Sequence, residues 1–296
     1  MSQINTQKRP CIFGEVLFDC FPDGAEVLGG APFNVAWHLQ AFGCQPLFIS
    51  RVGDDELGQK IKSRMQQWGM STEGLQTDSR HTTGTVSISL QDGEPTFDIV
   101  ADQAYDHIAA DELPAIQPSL VYHGSLALRE ADSRNALVSL RQIAQAPIFM
   151  DINLRAPWWQ AEQAVENLSS ARWAKLNEHE LAELSGLEGD HRQQAKALKS
   201  RCNLDLVIVT LGEAGAFAIG AEGETPQIKP ALSQTVVDTV GAGDAFASVC
   251  ILGLLNGWDH QLMLQRAQQF ASAIVGIRGA TPDSNEFYRP FIQQWI

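Results

Sequence analysis

Short apolar runs recur along the chain, separated by longer stretches in which apolar residues return every three or four positions. The runs at 11–18, 46–52, 120–123, 148–152, 173–176 and 206–211 predict buried strands. Val207-Ile208-Val209 has the composition that central parallel strands favour. Helical patterns at 34–42, 57–68, 133–144, 160–169, 178–184 and 191–199 lie between these runs, the first ending at Gly43 and the second at Gly69. Strand and helix in alternation predict an α/β fold with a doubly wound, mostly parallel sheet flanked by helices. Two stretches, 14–33 and 81–108, break that rhythm with turns and β-type residues. Within the second, 83–90 alternates polar and apolar positions, Gln91-Asp92-Gly93-Glu94 is a turn signal, and 95–100 returns as a second strand. These pieces predict a small β-sheet beside a cleft, placed to act as a lid on a single domain spanning 1–296.

Composition narrows the class. An apolar share of 44% suits a globular core, and a charged share of 19% argues against long disordered tails. The net charge of −14 repels nucleic acid and anionic membranes, so neither is expected as a partner. An anionic ligand would need a locally built site. The five cysteines are scattered, with no Cys-x-x-Cys pair, and none of the seven histidines shows a His-x-x-x-His spacing. No apolar run approaches ~18 residues. The N-terminus is polar, without the apolar core of a signal peptide, and the expected location is the cytoplasm.

The chemistry concentrates at Gly241-Ala242-Gly243-Asp244, followed by an apolar helical run at 245–255. Two glycines let backbone approach a ligand and expose amides, and the helix aims its positive end at the same point. Asp244, in the first turn, can accept a hydroxyl proton as that oxygen attacks phosphorus. The helix terminus is expected to keep its pKa low. Taken alone, the run fits a glycine turn before an acidic helix start better than it fits a catalyst. It is not a P-loop, because no Lys-Ser/Thr follows, and Phe246 stands where a dinucleotide fingerprint needs its third glycine.

A second motif changes the balance. Asp238-Thr239-Val240-Gly241-Ala242-Gly243-Asp244-Ala245-Phe246 resembles the C-terminal signature of the ribokinase-like (PfkB) carbohydrate kinases. Gly29-Gly30-Ala31-Pro32-Phe33-Asn34-Val35-Ala36 resembles the family's sugar-side signature, and Val52-Gly53-Asp54-Asp55-Glu56-Leu57-Gly58 also fits, all in the family's order. The resemblance implies ATP-dependent transfer to a sugar hydroxyl, with Asp244 as base beside Gly241, Ala242 and Gly243. It implies that Asp19, Gly29, Gly30 and Asn34 bind the sugar. Asn177-Glu178-His179-Glu180 is a capping box by pattern. In the family this Asn-x-x-Glu lies near the ATP phosphates, so Asn177 is a nucleotide contact and Glu180 organises Mg²⁺ through water. Thr210 and Gly212 line the nucleotide site by the same comparison. Asp151-Ile152-Asn153-Leu154-Arg155 resembles fructokinase-like members, and Arg155 would hold a phosphate. Ser272 opens the C-terminal nucleotide segment, standing where the family often has Asn or His, and 273–278 is shorter than in ribokinase. A K⁺ ion beside Asp238 is a further implied cofactor, and a homodimer through the lid is an implied assembly.

Neither 14–33 nor 81–108 contains Lys or Arg, which argues against a phosphorylated sugar. A sugar acid such as 2-keto-3-deoxygluconate stays open, with Arg155 or Arg51 to meet its carboxylate. The segment from Phe97 and Tyr122-His123-Gly124-Ser125-Leu126-Ala127 look most like fructokinase-like members, so fructose is the expected acceptor. Ribose, or a nucleoside stacked on Phe33, Phe97 and Tyr105, is an alternative within the family. A non-catalytic sugar-binding protein and an NAD-dependent oxidoreductase are alternatives outside it.

Overall fold

A computed structural model describes residues 9–91, 94–230 and 236–296. Its strands are β1 (Cys11–Phe13), β2 (Leu17–Cys20), β3 (Glu26–Gly29), β4 (Leu47–Gly53), β5 (Leu75–Asp78), β6 (Gly84–Gln91) and β7 (Glu94–Ile99) in the first third. They continue with β8 (Val121–His123), β9 (Ile148–Asp151), β10 (Trp173–Asn177), β11 (Leu206–Thr210), β12 (Ala216–Gly220) and β13 (Gly223–Glu224). The helices are α1 (Ala31–Ala41), α2 (Glu56–Gln67), α3 (Ala131–Ala144), α4 (Ala161–Ser169), α5 (Glu178–Ser185), α6 (His191–Arg201), α7 (Ala242–Asn256), α8 (His260–Val275) and α9 (Asn285–Trp295).

The main sheet has the order β13-β12-β11-β10-β9-β8-β1-β4-β5. From β11 to β5 every pairing is parallel, and β12 and β13 add antiparallel at one edge. The strands from β11 to β4 are buried on both faces, and successive residues feed two cores. Ile12, Phe48, Phe149 and Ile208 meet α1, α2, α7, α8 and α9 on one side. Cys11, Phe13, Met150 and Val207 meet α3 to α6 on the other. The doubly wound sheet read from the sequence is therefore the fold observed.

The chain starts in the middle of this sheet at β1, builds β4 and β5 to one side, then returns to β8 on the other. The carboxyl ends of β1 and β8 thus flank the topological switch point, where open α/β sheets bind ligands. The sequence pattern predicts one strand over 11–18. Instead the chain leaves the main sheet at Gly14, whose φ of 148° and close approach to Pro32 exclude a side chain. β2 then joins a second sheet of order β3-β2-β6-β7. The strands of that small sheet lie within 17–29 and 84–99, so the flanks of the two irregular stretches belong to the body. Tyr105 and Asp106 are fully buried there. The turn expected at Gln91-Asp92-Gly93-Glu94 falls partly outside the described residues, although β6 and β7 pair antiparallel on either side of it.

Helix α1 begins three residues before the predicted start. Pro32 suits a first helical turn, where its missing N–H costs nothing, so Asn34 lies at the helix entrance.

Candidate active site

Helix α7 is apolar all round, and its residues 245 to 253 are buried. Gly241 caps it in the left-handed conformation, φ 77°, and a Cβ there would run into Ala280. Among the described residues, no side chain caps this terminus. Of the first-turn amides, Ala242 N makes a long 3.4 Å bond to Thr239 O, and those of Gly243 and Asp244, which have no partner within a helix, are left for an anion.

Asp244 sits in that turn. Asn34 Nδ2 donates to its Oδ2 at 2.8 Å, joining the two sequence motifs across 210 residues. The low pKa expected from the helix terminus is not what the surroundings produce. Burial among protein atoms, with the Asp151 carboxylate adding to it, pushes Asp244 up to about 6 against the opposing pull of Asn34, Lys175 and Arg155. The residue as a whole is nevertheless only half-buried.

A row of polar groups beneath α7 crosses three neighbouring strands. Tyr122 on β8, Asp151 on β9 and Lys175 on β10 all face the α7 side of the sheet. Lys175 Nζ bonds both Asp151 oxygens at 2.9 Å, and Tyr122 Oη donates to Asp151 Oδ2 at 3.4 Å. Lys175 Nζ is 3.7 Å from where a Cβ on Gly243 would stand. A buried cation therefore lies directly under the exposed amides. Burial alone would lower the Lys175 pKa, but Asp151, Glu180 and Asp244 raise it overall, so it stays charged. Lys175 was not singled out in the sequence. The signal was there, as one cation inside the apolar strand 173–176.

Glu15, at the carboxyl end of β1, was also missed. It is 2% exposed, and its Oε2 has no hydrogen-bond partner among the described residues. Burial pushes its pKa up to about 7, with Asp244 adding to the rise and Arg155 and backbone amides opposing it. Asn34 Oδ1 is likewise buried and unpartnered. Two acceptors near Asp244 thus lack donors.

Gly30 at φ 107° stands where a Cβ would come within 2.8 Å of Glu15 O, and Gly29 lies against Asp19. Asp19 is half-buried on β2, and burial raises its pKa. Asp19, Gly29, Gly30, Asn34 and Asp244 therefore converge where the small sheet meets the switch point.

The second group of expected residues lies along the carboxyl edge of β10 and β11, where Asn177 is paired in register with Thr210. The capping box forms: Glu180 N donates to Asn177 Oδ1 at 2.9 Å and Asn177 N to Glu180 Oε2 at 2.8 Å. The other Glu180 oxygen accepts from Leu154 N at 2.9 Å and so ties down the loop that carries Arg155. Arg155 itself is exposed and bonds its neighbour's carbonyl. Gly212 follows at φ 53°. Asp238 accepts from Val240 N at 3.0 Å and Gly279 N at 3.1 Å, which stitches the entry of α7 to the segment after α8. Ser272 contacts Gln268 of its own helix at 3.3 Å, and no hydrogen bond joins it to the Thr210–Gly212 group.

The pfkB family carbohydrate kinase model matches residues 21–286. The chain belongs to that family. It is 33% identical over 258 residues to a fructokinase of Klebsiella pneumoniae, covering 82% of this chain and 83% of the relative. It is 32% identical over 268 residues to the aminoimidazole riboside kinase of Salmonella typhimurium, covering 85% and 83%. The Salmonella enterica aminoimidazole riboside kinase, solved with aminoimidazole riboside and an ATP analog, superposes with TM-score 0.81 at 26% identity over 95% of this chain and 99% of that one. As a pfkB carbohydrate kinase, the protein is a sugar kinase.

Three expectations about the acceptor are corrected by the packing. Phe33 and Tyr105 are fully buried core residues and cannot stack a base, which leaves only Phe97, 64% exposed. Arg51 is not free for a sugar acid, because it pairs with Asp78 at 3.1 Å and donates to His107 O at 3.0 Å. The absence of a cation from 81–108 does not hold in three dimensions, because Arg129 reaches into that stretch and pairs with the buried Asp106 carboxylate at 2.6 Å.

Proposed function

We propose that this sugar kinase phosphorylates fructose with ATP, and that Asp244 is the base. The observation that carries the reading is the Asn34–Asp244 hydrogen bond, which brings the sugar-side motif and the anion-hole motif to one point. The two buried acceptors without donors, Glu15 Oε2 and Asn34 Oδ1, suit a polyol, whose hydroxyls supply donors. Asp19 and the backbone at Gly29 and Gly30 would complete the sugar's contacts.

In this reading the γ-phosphate meets the amides of Gly243 and Asp244, and that of Ala242 once it gives up its long bond to Thr239 O, with Lys175 beneath them supplying positive charge and Arg155 approaching from the solvent side. Asp244, ionised at neutral pH with a pKa near 6, takes the proton of the attacking hydroxyl. Thr210 and Gly212 flank the nucleotide, with Asn177 beside them and Ser272 on α8. The donor set fits a hydrated Mg²⁺, since Glu180 is held by two amides and its oxygens keep lone pairs for metal-bound waters. When bound, Mg²⁺ neutralises charge on the transferred phosphoryl group. Asp238 is the candidate contact for K⁺. The small sheet acts as a lid that excludes water, a competing acceptor. Its exposed Phe97, Val27 and Phe21 favour pairing with a second copy.

The packing of Phe33 and Tyr105 favours a bare sugar over a nucleoside. The riboside-kinase relative keeps the nucleoside as the second reading. An ADP-release screen over fructose, ribose, 2-keto-3-deoxygluconate and aminoimidazole riboside, in KCl and in NaCl, tests both. Fructose should give the highest kcat/KM, and turnover of the riboside alone would replace the first reading with the second.

A further inference from the structure

Outside the active site, His107 stands between two carboxylates at the root of the small sheet. Its Nε2 lies 2.8 Å from Asp102 Oδ1, and its Nδ1 lies 2.9 Å from Asp132 Oδ2. An ionised carboxylate only accepts hydrogen bonds, and a neutral imidazole carries one N–H. Both contacts are therefore hydrogen bonds only when the ring holds two protons. In the neutral ring one nitrogen would turn a lone pair towards a carboxylate oxygen.

The other groups around the ring fit one imidazolium. His81, from the loop before β6, stacks on it with centroids 3.8 Å apart and planes 13° apart. His81 has one short contact of its own, Nδ1 to Asp78 Oδ2 at 3.0 Å, which a single N–H serves. Its Nε2 stands farther off, 3.7 Å from Asp102 Oδ1. Arg51 on β4 donates to the His107 carbonyl at 3.0 Å, pairs with Asp78 on β5 at 3.1 Å and has Glu112 at 3.6 Å. Arg129 pairs with Asp106. Among the described residues neither Asp102 nor Asp132 pairs with a Lys or Arg, so His107 is the cation that serves both.

The three residues belong to different parts of the chain. Asp102 follows β7 at the exit of the small sheet's hairpin, with a left-handed φ of 55° that an Asp tolerates better than most residues. His107 ends a single helical turn, Ala104–His107, whose Tyr105 and Asp106 are fully buried in the body. Asp132 lies in the first turn of α3. His107 thus fastens the hairpin's exit to the body.

We propose that His107 is a proton-operated latch on the small sheet: its imidazolium ties Asp102 to Asp132, and loss of the proton frees Asp102 and loosens the β6–β7 hairpin. Asp102 is the end that yields, because its side chain is 75% exposed on a loop, whereas Asp132 is fixed in a helix. Burial opposes the charge on His107, but the bonds to Asp132 and Asp102 outweigh it and raise the pKa above the ordinary 6.5. The stability this proton contributes is complete below about 6.5 and is lost as pH rises through the raised value. The latch is therefore closed on the acid side and opens towards alkaline pH. β6 pairs with β2, which carries Asp19. On the lid reading given above, opening should raise KM for the sugar more than it lowers kcat.

Nitrogen-15 NMR of the histidine rings in the full chain tests the latch, with the His107 signals identified by their loss in His107→Gln. Both ring nitrogens should show the imidazolium shift at about pH 6.5, and the titration midpoint should lie above that value. Amide hydrogen exchange in β6 and β7 is then compared between wild type and His107→Gln at equal pH. It should be several-fold faster in the variant at about pH 6 and the same in both at about pH 9. Asp132→Asn, at an exposed side chain, should lower the His107 midpoint and give the same exchange pattern. A midpoint at or below 6.5, or wild-type exchange at about pH 6 no slower than that of His107→Gln, overturns the proposal. Exchange that follows the expected pattern while the sugar KM stays constant with pH supports the latch and removes the lid reading instead.

Discussion

At the scale of single residues, the site works by pushing two carboxyls in the same direction. Asp244 is raised to about 6 from an ordinary 3.8. As the proposed base, Asp244 must be ionised, so under that proposal kcat/KM should lose about tenfold per pH step below about 6 and level off above it. A pH profile that stays flat to about pH 5 would remove Asp244 from the proton transfer. Glu15 is raised to about 7 from 4.5. The folded protein therefore holds this proton more tightly than the unfolded chain does. That stability is complete below about 4.5 and is lost as pH rises through about 7. Glu15→Gln should accordingly melt higher than wild type at about pH 8, by on the order of 3 kcal/mol, and show little gain at about pH 4.5. Thermal melts at both values measure this. Lys175 is the converse case. Lys175→Met strands the buried Asp151 carboxylate and should cost roughly 3–5 kcal/mol in urea unfolding. Of these residues, Asp244 was legible in the sequence because glycines and an acid in fixed order describe both a backbone shape and a charge. Glu15 and Lys175 were not, because a lone charge at a strand position states nothing about its partner, which is set by which strands become neighbours.

At the scale of elements, the caps join structure to chemistry. The Asn177–Glu180 box was readable because both partners lie three residues apart, and it forms as expected. Its third contact, Leu154 N to Glu180, was not readable, since it depends on β9 lying beside β10. Asn177→Ala should destabilise the protein by about 1 kcal/mol through the lost cap. It should also raise KM for ATP, since the loop carrying Arg155 is tied to the same box, and a variant with unchanged KM would confine the box to a structural role. The run 11–18 misled because continuous apolar character does not reveal a change of sheet. Only Gly14 marks the break, through a backbone conformation and a close approach to Pro32 that hydropathy does not register.

At the scale of the whole molecule, alternation of strands and helices was enough to give the doubly wound sheet, and the order of the motifs then gave the family. Substrate identity was least legible, because it depends on which side chains stay exposed at the cleft. Phe33 and Tyr105 have suitable chemistry for a base and the wrong location. The small sheet presents Phe97, Val27 and Phe21 to solvent, and a dimer paired through it should sediment at twice the chain mass. Phe97→Asp should return it to the monomer. Steady-state ADP release by wild-type and Asp244→Ala protein is the sharpest test of the proposal that Asp244 takes the proton from a fructose hydroxyl during phosphoryl transfer from ATP. Wild-type turnover with fructose is expected, and in the variant a kcat lower by roughly 10²–10⁴-fold with fructose binding retained. A variant that turns over fructose at the wild-type rate would contradict it.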